Sequence, residues 1–191
     1  MKQITKSHSF ANGALSFYPP HIRSAFRSLI LIFSLFLSVY ALGADPVSTL
    51  SFSAKANGSG TADDGASWTV ASDGTESTFD NTKGIHYGTS SGQVKYITLS
   101  TSDISGTISK VVVNASTASG VSATVSVTIG GEAFGGDAQS PTTSAANYTF
   151  EGSASGEIIV TITKPSKAAK AIYCKSVAVT YTSGGSTNPT D

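Results

Sequence analysis

Hydrophobic and polar positions divide this chain into two unlike parts. Residues 29 to 40, from Leu29 to Tyr40, are almost wholly apolar, whereas everything after Asp45 is small, hydroxyl-rich and strand-patterned. Val121, Ala123, Val125, Val127 and Ile129 alternate with Ser122, Thr124, Ser126 and Thr128 and run into Gly130-Gly131. That is the period-2 template of a strand with one dry face and one wet face, closed by a turn. Similar alternation occurs at Leu50, Phe52 and Ala54, at Tyr148 and Phe150, and at Ile158, Val160 and Ile162. The runs 93–99, 108–115 and 171–181 are strand-like as well, with weaker ones at 68–70 and 84–87. About nine strands follow, by the same periodicity argument. Nowhere after Asp45 does an apolar 3.6-residue period last the roughly 10 residues a helix needs. The alanines of 164–171 follow Pro165 and give one turn or two at most.

One-sided strands must cover their apolar faces, and for eight or nine antiparallel strands the efficient arrangement is two packed sheets. The expected fold is therefore all-β, an antiparallel β-sandwich. Strand number and length favour a jelly roll over an immunoglobulin-like topology, and no Cys...Trp...Cys spacing supports the latter.

The apolar run reads as the core of an export signal. Arg23 and Arg27 precede it, it is short for bilayer spanning, and Ala41 and Gly43 supply small residues at the −3 and −1 positions of a cleavage site. The expectation is a signal helix within residues 1–43, a β-sandwich domain over 44–182, and a flexible linker or tail over 183–191, where Gly, Ser, Thr, Asn and Pro dominate. A retained membrane anchor is the alternative for the first segment. No cysteine follows the apolar run directly, so a lipid-modified N-terminus is not expected, and the protein is read as secreted or displayed on the cell surface.

Charge narrows the partners. Beyond residue 43 the chain has 8 lysines, no arginine and all 12 acidic residues, a net −4. Without a basic footprint or the bidentate guanidinium fork, nucleic acid is not an expected partner. A single cysteine, Cys174, has no internal disulfide partner, and its place in an apolar strand predicts burial.

The stretches TADDGASWTVASDGTESTFDNTKGIHYGT, VKYITLSTSDISGTISKVVVNAS, VSVTIGGEAFG and KAIYCKSVAVTY resemble a repeated module of large bacterial secreted and surface proteins, itself similar to galactose-binding-like jelly rolls. The resemblance covers roughly residues 48 to 182. It implies an accessory, non-catalytic domain and transfers no ligand-binding residues.

The residues themselves offer little catalysis. His86 is the one histidine after residue 43, and it has no acidic neighbour within three positions. A Ser-His-Asp reading would need partners the sequence does not position. Asp63, Asp64, Glu76, Asp80, Glu151 and Glu157 could form carboxylate pairs for glycoside hydrolysis, but they fall in polar loops and read as solvated charge. No cofactor is expected; the one candidate is a structural calcium ion at Asp63 and Asp64, with Asp73 and Asp80 further on. The glycine-rich IGGEAFGG lacks both the P-loop ending and the GxGxxG spacing, so its glycines read as turn formers. For sugar recognition a flat ring is needed to stack on a pyranose, with amides or carboxylates for its hydroxyls. The candidates are Trp68, Asn81, His86 and Tyr87, in the segment densest in aromatic, Asp and Asn residues; Tyr96, Tyr148, Tyr173 and Tyr181 are additional rings, and Gln93 and Asn147 additional amides. Trp68 in ASWTV also reads as core, which is the commoner fate of a lone tryptophan. Two functions stand: a carbohydrate- or other surface-ligand-binding module, or a structural spacer that binds no small ligand. A small secreted hydrolase is the least favoured.

Overall fold

A computed structural model describes residues 44 to 182; the expected signal segment and C-terminal linker lie outside the described residues. The chain forms β1 (Val47–Ser51), β2 (Ser59–Thr61), β3 (Ser67–Ser72), β4 (Ile85–Tyr87), β5 (Val94–Thr101), β6 (Thr107–Thr117), β7 (Thr124–Ile129), β8 (Glu132–Ala133), β9 (Ala146–Ala154), β10 (Ile158–Ala168) and β11 (Ile172–Thr182). No helix occurs among the described residues. The nine strands legible from periodicity are all present, and the two additional ones, β2 and β8, are too short to display a period.

All strand pairs are antiparallel. One sheet runs β1-β11-β6-β9, with β4 also on β11; the other runs β2-β3-β5-β10-β7-β8. Most connections cross from one sheet to the other, as a jelly roll requires. β1 pairs with residues 176–180 of β11 and β4 with residues 172–174, so these two strands share one edge of β11 end to end while β6 holds the other. This shared edge positions the site described below.

The core follows from the alternation. In β7, Val125, Val127 and Ile129 turn inward while Thr124, Ser126 and Thr128 turn out, and β10 does the same with Ile158, Val160 and Ile162. Trp68, Leu99, Val111, Phe150 and Val177 complete a continuous apolar layer between the sheets. Full burial of each such side chain contributes about 1.5–3 kcal/mol against conformational entropy. Cys174 is fully buried in this layer, and burial pushes its thiol up to about 12. The two outer faces are rich in hydroxyl groups: Thr161 lies between Thr98 and Ser126, and Thr163 between Tyr96 and Thr124.

β4 is only three residues long and is held by its surroundings. Gly84, just before it, has a φ of +89°, and a Cβ there would overlap the Cys174 carbonyl oxygen and the Lys175 Cα of β11. Only glycine permits both that φ and that approach. The close contact lets Ile85 and Tyr87 enter the core at 0% and 5% exposure, and leaves His86 between them facing outward.

Candidate functional site

His86 lies opposite Tyr173 of β11, and Tyr173 lies opposite Ser116 of β6, so the three side chains form a row across the outer face of the sheet. The His86 and Tyr173 ring centroids are 4.9 Å apart, with planes inclined at 35°. The Lys83 Nζ sits 4.9 Å from the centre of the Tyr173 ring, within reach of a cation–π attraction. Beside these rings opens a groove of about 450 Å³, lined by Ser77, His86, Thr89, Ser119, Lys170 and Tyr173 among others.

Three loops build the groove's rim. In the β4–β5 connection, Thr89 accepts the Gly92 N–H on its Oγ1 at 2.6 Å and donates its own N–H to the Gly92 carbonyl at 3.0 Å, which closes a tight turn. In the β6–β7 connection, the Val121 N–H donates to the Ala118 carbonyl at 3.2 Å. The end of β10 and the turn into β11 are organised by Lys164, a lysine only 4% exposed. Its ammonium donates to the carbonyl oxygens of Ala168, Ala169 and Lys170 at 2.5, 3.2 and 3.1 Å. Three acceptors satisfy the three donors of a buried ammonium, which would otherwise be costly to desolvate. Desolvation still holds its pKa below the usual lysine range, with Asp73 opposing.

Lys170 is fixed at both ends. Its backbone sits at φ 69°, a region that non-glycine residues seldom occupy. Its N–H donates to the Thr89 carbonyl at 2.6 Å, its carbonyl accepts from Lys164, and its Nζ donates to the Ser119 carbonyl at 2.8 Å. These bonds tie the three loops to one another around a lysine that borders the groove.

Several polar atoms on this face have no partner within the described residues. His86 Nδ1, Ser116 Oγ and Asn114 Oδ1 are all buried and unpaired, while Asn114 Nδ2 donates to Asn147 Oδ1 at 2.7 Å. Burial raises the pKa of Tyr173, and the nearby Asp80 carboxylate raises it further. The ring therefore stays a neutral phenol over the physiological range, half-buried on this face.

Of the four ligand-binding candidates Trp68, Asn81, His86 and Tyr87, His86 alone lines the groove, together with Tyr173 from the additional rings. Trp68 takes the core reading and not the platform one: at 2% exposure it points inward from β3, because its neighbours Ser67 and Thr69 occupy the outward positions of that strand. Its Nε1 has no partner among the described residues. Tyr87 is a correction, since the alternation that turns His86 out turns Tyr87 in, and burial pushes its phenol up to about 12. Asn81 is exposed in the turn before β4 and is not among the groove residues. That turn is held by Asp80, whose Oδ1 accepts from the Thr82 hydroxyl and from the N–H groups of Thr82 and Lys83 at 2.7–2.9 Å.

The calcium expectation at Asp63 and Asp64 meets carboxylates already engaged. Asp63 Oδ1 accepts the Thr49 N–H at 2.7 Å, and Asp64 Oδ1 accepts the Ser48 hydroxyl at 2.8 Å and the Ala66 N–H at 3.1 Å. No group of three or more His, Cys, Asp or Glu suited to a metal occurs among the described residues. These aspartates pin the β2–β3 turn against β1. Sequence reasoning passed over Lys170 and Lys164 altogether and named Tyr173 only as one ring among several. The cross-strand partner of His86 was the missing information.

No protein-family model matches the chain, and no curated protein matches it. Among solved structures it is similar to TmCBM61 in complex with beta-1,4-galactotriose, at 16% identity and a TM-score of 0.40 over 60% of this chain and 88% of that one. It is also similar to the CBM36-1 domain of a multidomain xylanase from the hindgut metagenome of Trinervitermes trinervoides, at 14% identity and a TM-score of 0.37, covering 61% and 99%. A family two carbohydrate esterase from Cellvibrio japonicus matches at 17% identity and a TM-score of 0.38, covering 72% of this chain and 35% of that one. Likenesses this distant carry no argument about what this chain binds.

Proposed function

We propose that this chain is an exported, non-catalytic module that recognises carbohydrate in the groove beside His86 and Tyr173. The observation that carries the reading is the Tyr173 ring, half-buried on the outer face of the sheet and bordering a groove of about 450 Å³. A pocket of that size suits one or two sugar units, by the usual range of ligand clefts. The phenol offers a face for a pyranose and a hydroxyl at its rim; Ser77, Thr89 and Ser119 supply further hydroxyls around it. A lone imidazole has no acid to orient it and no nucleophile positioned by it.

The test is calorimetric titration of a panel of soluble oligosaccharides against residues 44–182, before and after Tyr173→Ala. Loss of the ring should weaken any binding about two- to tenfold, the equivalent of the ~0.5–1.5 kcal/mol that aromatic contacts contribute beyond area. Because Tyr173 faces outward, the variant's melting temperature should move by only a few degrees, on the order of a surface substitution. Binding unaffected by Tyr173→Ala would place recognition elsewhere. The spacer reading gains from the burial of Trp68, Tyr87 and Tyr148, which leaves few rings at the surface, and complete silence across the panel would favour it.

A further inference from the structure

The groove's charge is opposite to that of the domain around it. The segment after residue 43 is net −4, yet the charged residue lining the groove is Lys170, and the charge nearest the Tyr173 ring face is the Lys83 ammonium. The carboxylates of Asp80, in the turn that carries Lys83, and of Asp73 are already hydrogen-bonded to their own surroundings. Asp80 accepts three hydrogen bonds from its own turn, and Asp73 is paired with Lys167 at 3.2 Å and accepts the Lys95 N–H at 2.7 Å. Lys83 and Lys170 have no salt-bridge partner among the described residues.

Lys170 is also placed at a cost. A non-glycine residue at φ 69° is strained, and such strain persists only where surrounding contacts over-determine it. Here the over-determination comes from the buried Lys164 ammonium on one side and the Thr89 carbonyl on the other. The Lys170 ammonium spends one of its three protons on the Ser119 carbonyl, which leaves two donors for a ligand. In the same groove lining, His86 Nδ1 is buried without a partner among the described residues. A neutral sugar would use the ring and the hydroxyls but would leave the two free Lys170 donors without an anionic partner.

We propose that the groove selects an anionic sugar, a pyranose bearing a carboxylate or sulfate, with Lys170 as the principal anion contact and Lys83 reinforcing it across the Tyr173 ring. This rests on the carbohydrate reading above and specifies its ligand class. Lys164 is then a positioning residue, holding the turn that presents Lys170. Electrostatic attraction of this kind weakens with salt, because exposed charges are screened over the Debye length.

The experiment titrates residues 44–182 with three matched trisaccharides: neutral galactotriose, trigalacturonate, and galactotriose sulfated at its primary hydroxyls. The expected result is that at least one anionic form binds about tenfold or more tighter than the neutral one at low salt, and that this advantage collapses at about 1 M salt, where the Debye length is ~3 Å. Which anionic form binds distinguishes carboxylate from sulfate. Lys170→Met should bring the ratio of anionic to neutral affinity to within about twofold, and Lys170→Arg should largely restore it, since charge is what the site requires. Should Lys170→Met fail to melt cooperatively, Lys83→Met, at a residue outside the strained turn, reads the same ratio. Equal binding of all three sugars, or tighter binding of the neutral one, would overturn the charge preference and leave the carbohydrate reading standing. No binding of any of them, at low salt and high protein concentration, would overturn both.

Discussion

Gly84→Ala against Gly65→Ala separates the backbone strain at a glycine from the close approach that seats β4. The two positions share nearly the same φ, +89° and +93°. Either alanine is strained there, at about 1–3 kcal/mol. Their surroundings differ completely. A Cβ on Gly65 meets nothing within 4 Å, whereas one on Gly84 meets the backbone of Cys174 and Lys175, which has no rotamer to escape into. Relief at Gly84 requires β4 to move off β11, which withdraws Ile85 and Tyr87 from the core. At about 1.5–3 kcal/mol for each buried side chain, that movement costs ~3–6 kcal/mol on top of the shared strain. The expected outcome in equilibrium urea denaturation is that Gly65→Ala loses about 1–3 kcal/mol, and Gly84→Ala at least ~3 kcal/mol more. A domain at the lower end of ordinary stability, about 5 kcal/mol, would then be close to unfolded at Gly84→Ala. Equal losses for the two variants would refute the claim that close packing of β4 on β11 anchors this edge, and with it the account of how His86 comes to face Tyr173.

Other consequences follow from burial. The Cys174 thiol, raised from an ordinary 9.0 to about 12, should form about a thousandfold less thiolate at mildly alkaline pH than a free cysteine; it should react with an aromatic disulfide reagent only as fast as the domain opens, and rapid labelling of the native protein would contradict its placement. Tyr87 titrates at about 12 when folded against 10.0 unfolded, chiefly through burial and then through the Glu76 charge. Its protonated form is thus favoured by folding: this contribution is fully present below pH 10 and is lost as pH rises from 10 toward 12. Tyr87→Phe should flatten that part of the alkaline unfolding curve, and an unchanged curve would refute the assignment.

The candidate site shows where sequence reasoning reaches its limit. His86 was legible because it is the one histidine after residue 43 and stands in a short strand-like run. Trp68 was left between core and platform, and Tyr87 was misjudged, for a common reason: in a weak run such as 68–70 or 84–87, the face turned inward depends on the pairing partner, and a one-residue shift exchanges inside for outside. Tyr173 was in plain view in KAIYCKSVAVTY, but its juxtaposition with His86 joins residues 87 positions apart in sequence. Lys164 and Lys170 resemble any other lysines until the turn between β10 and β11 closes, when backbone carbonyls converge on the first and the three loops converge on the second.

By itself, the sequence determined the all-β sandwich, nine of its eleven strands, the burial of Cys174 and the acidic balance of the domain, because period-2 alternation and composition are local properties that need no knowledge of neighbours. Only the tertiary structure decided which rings reach the surface, that Asp63, Asp64 and Asp80 serve their own turns, and that Lys170 lines a groove whose Tyr173 ring lies under Lys83 on an otherwise acidic domain. Those outcomes depend on strand register and on loop closure. Both are set by packing across the whole sandwich, so no window of the chain contains them.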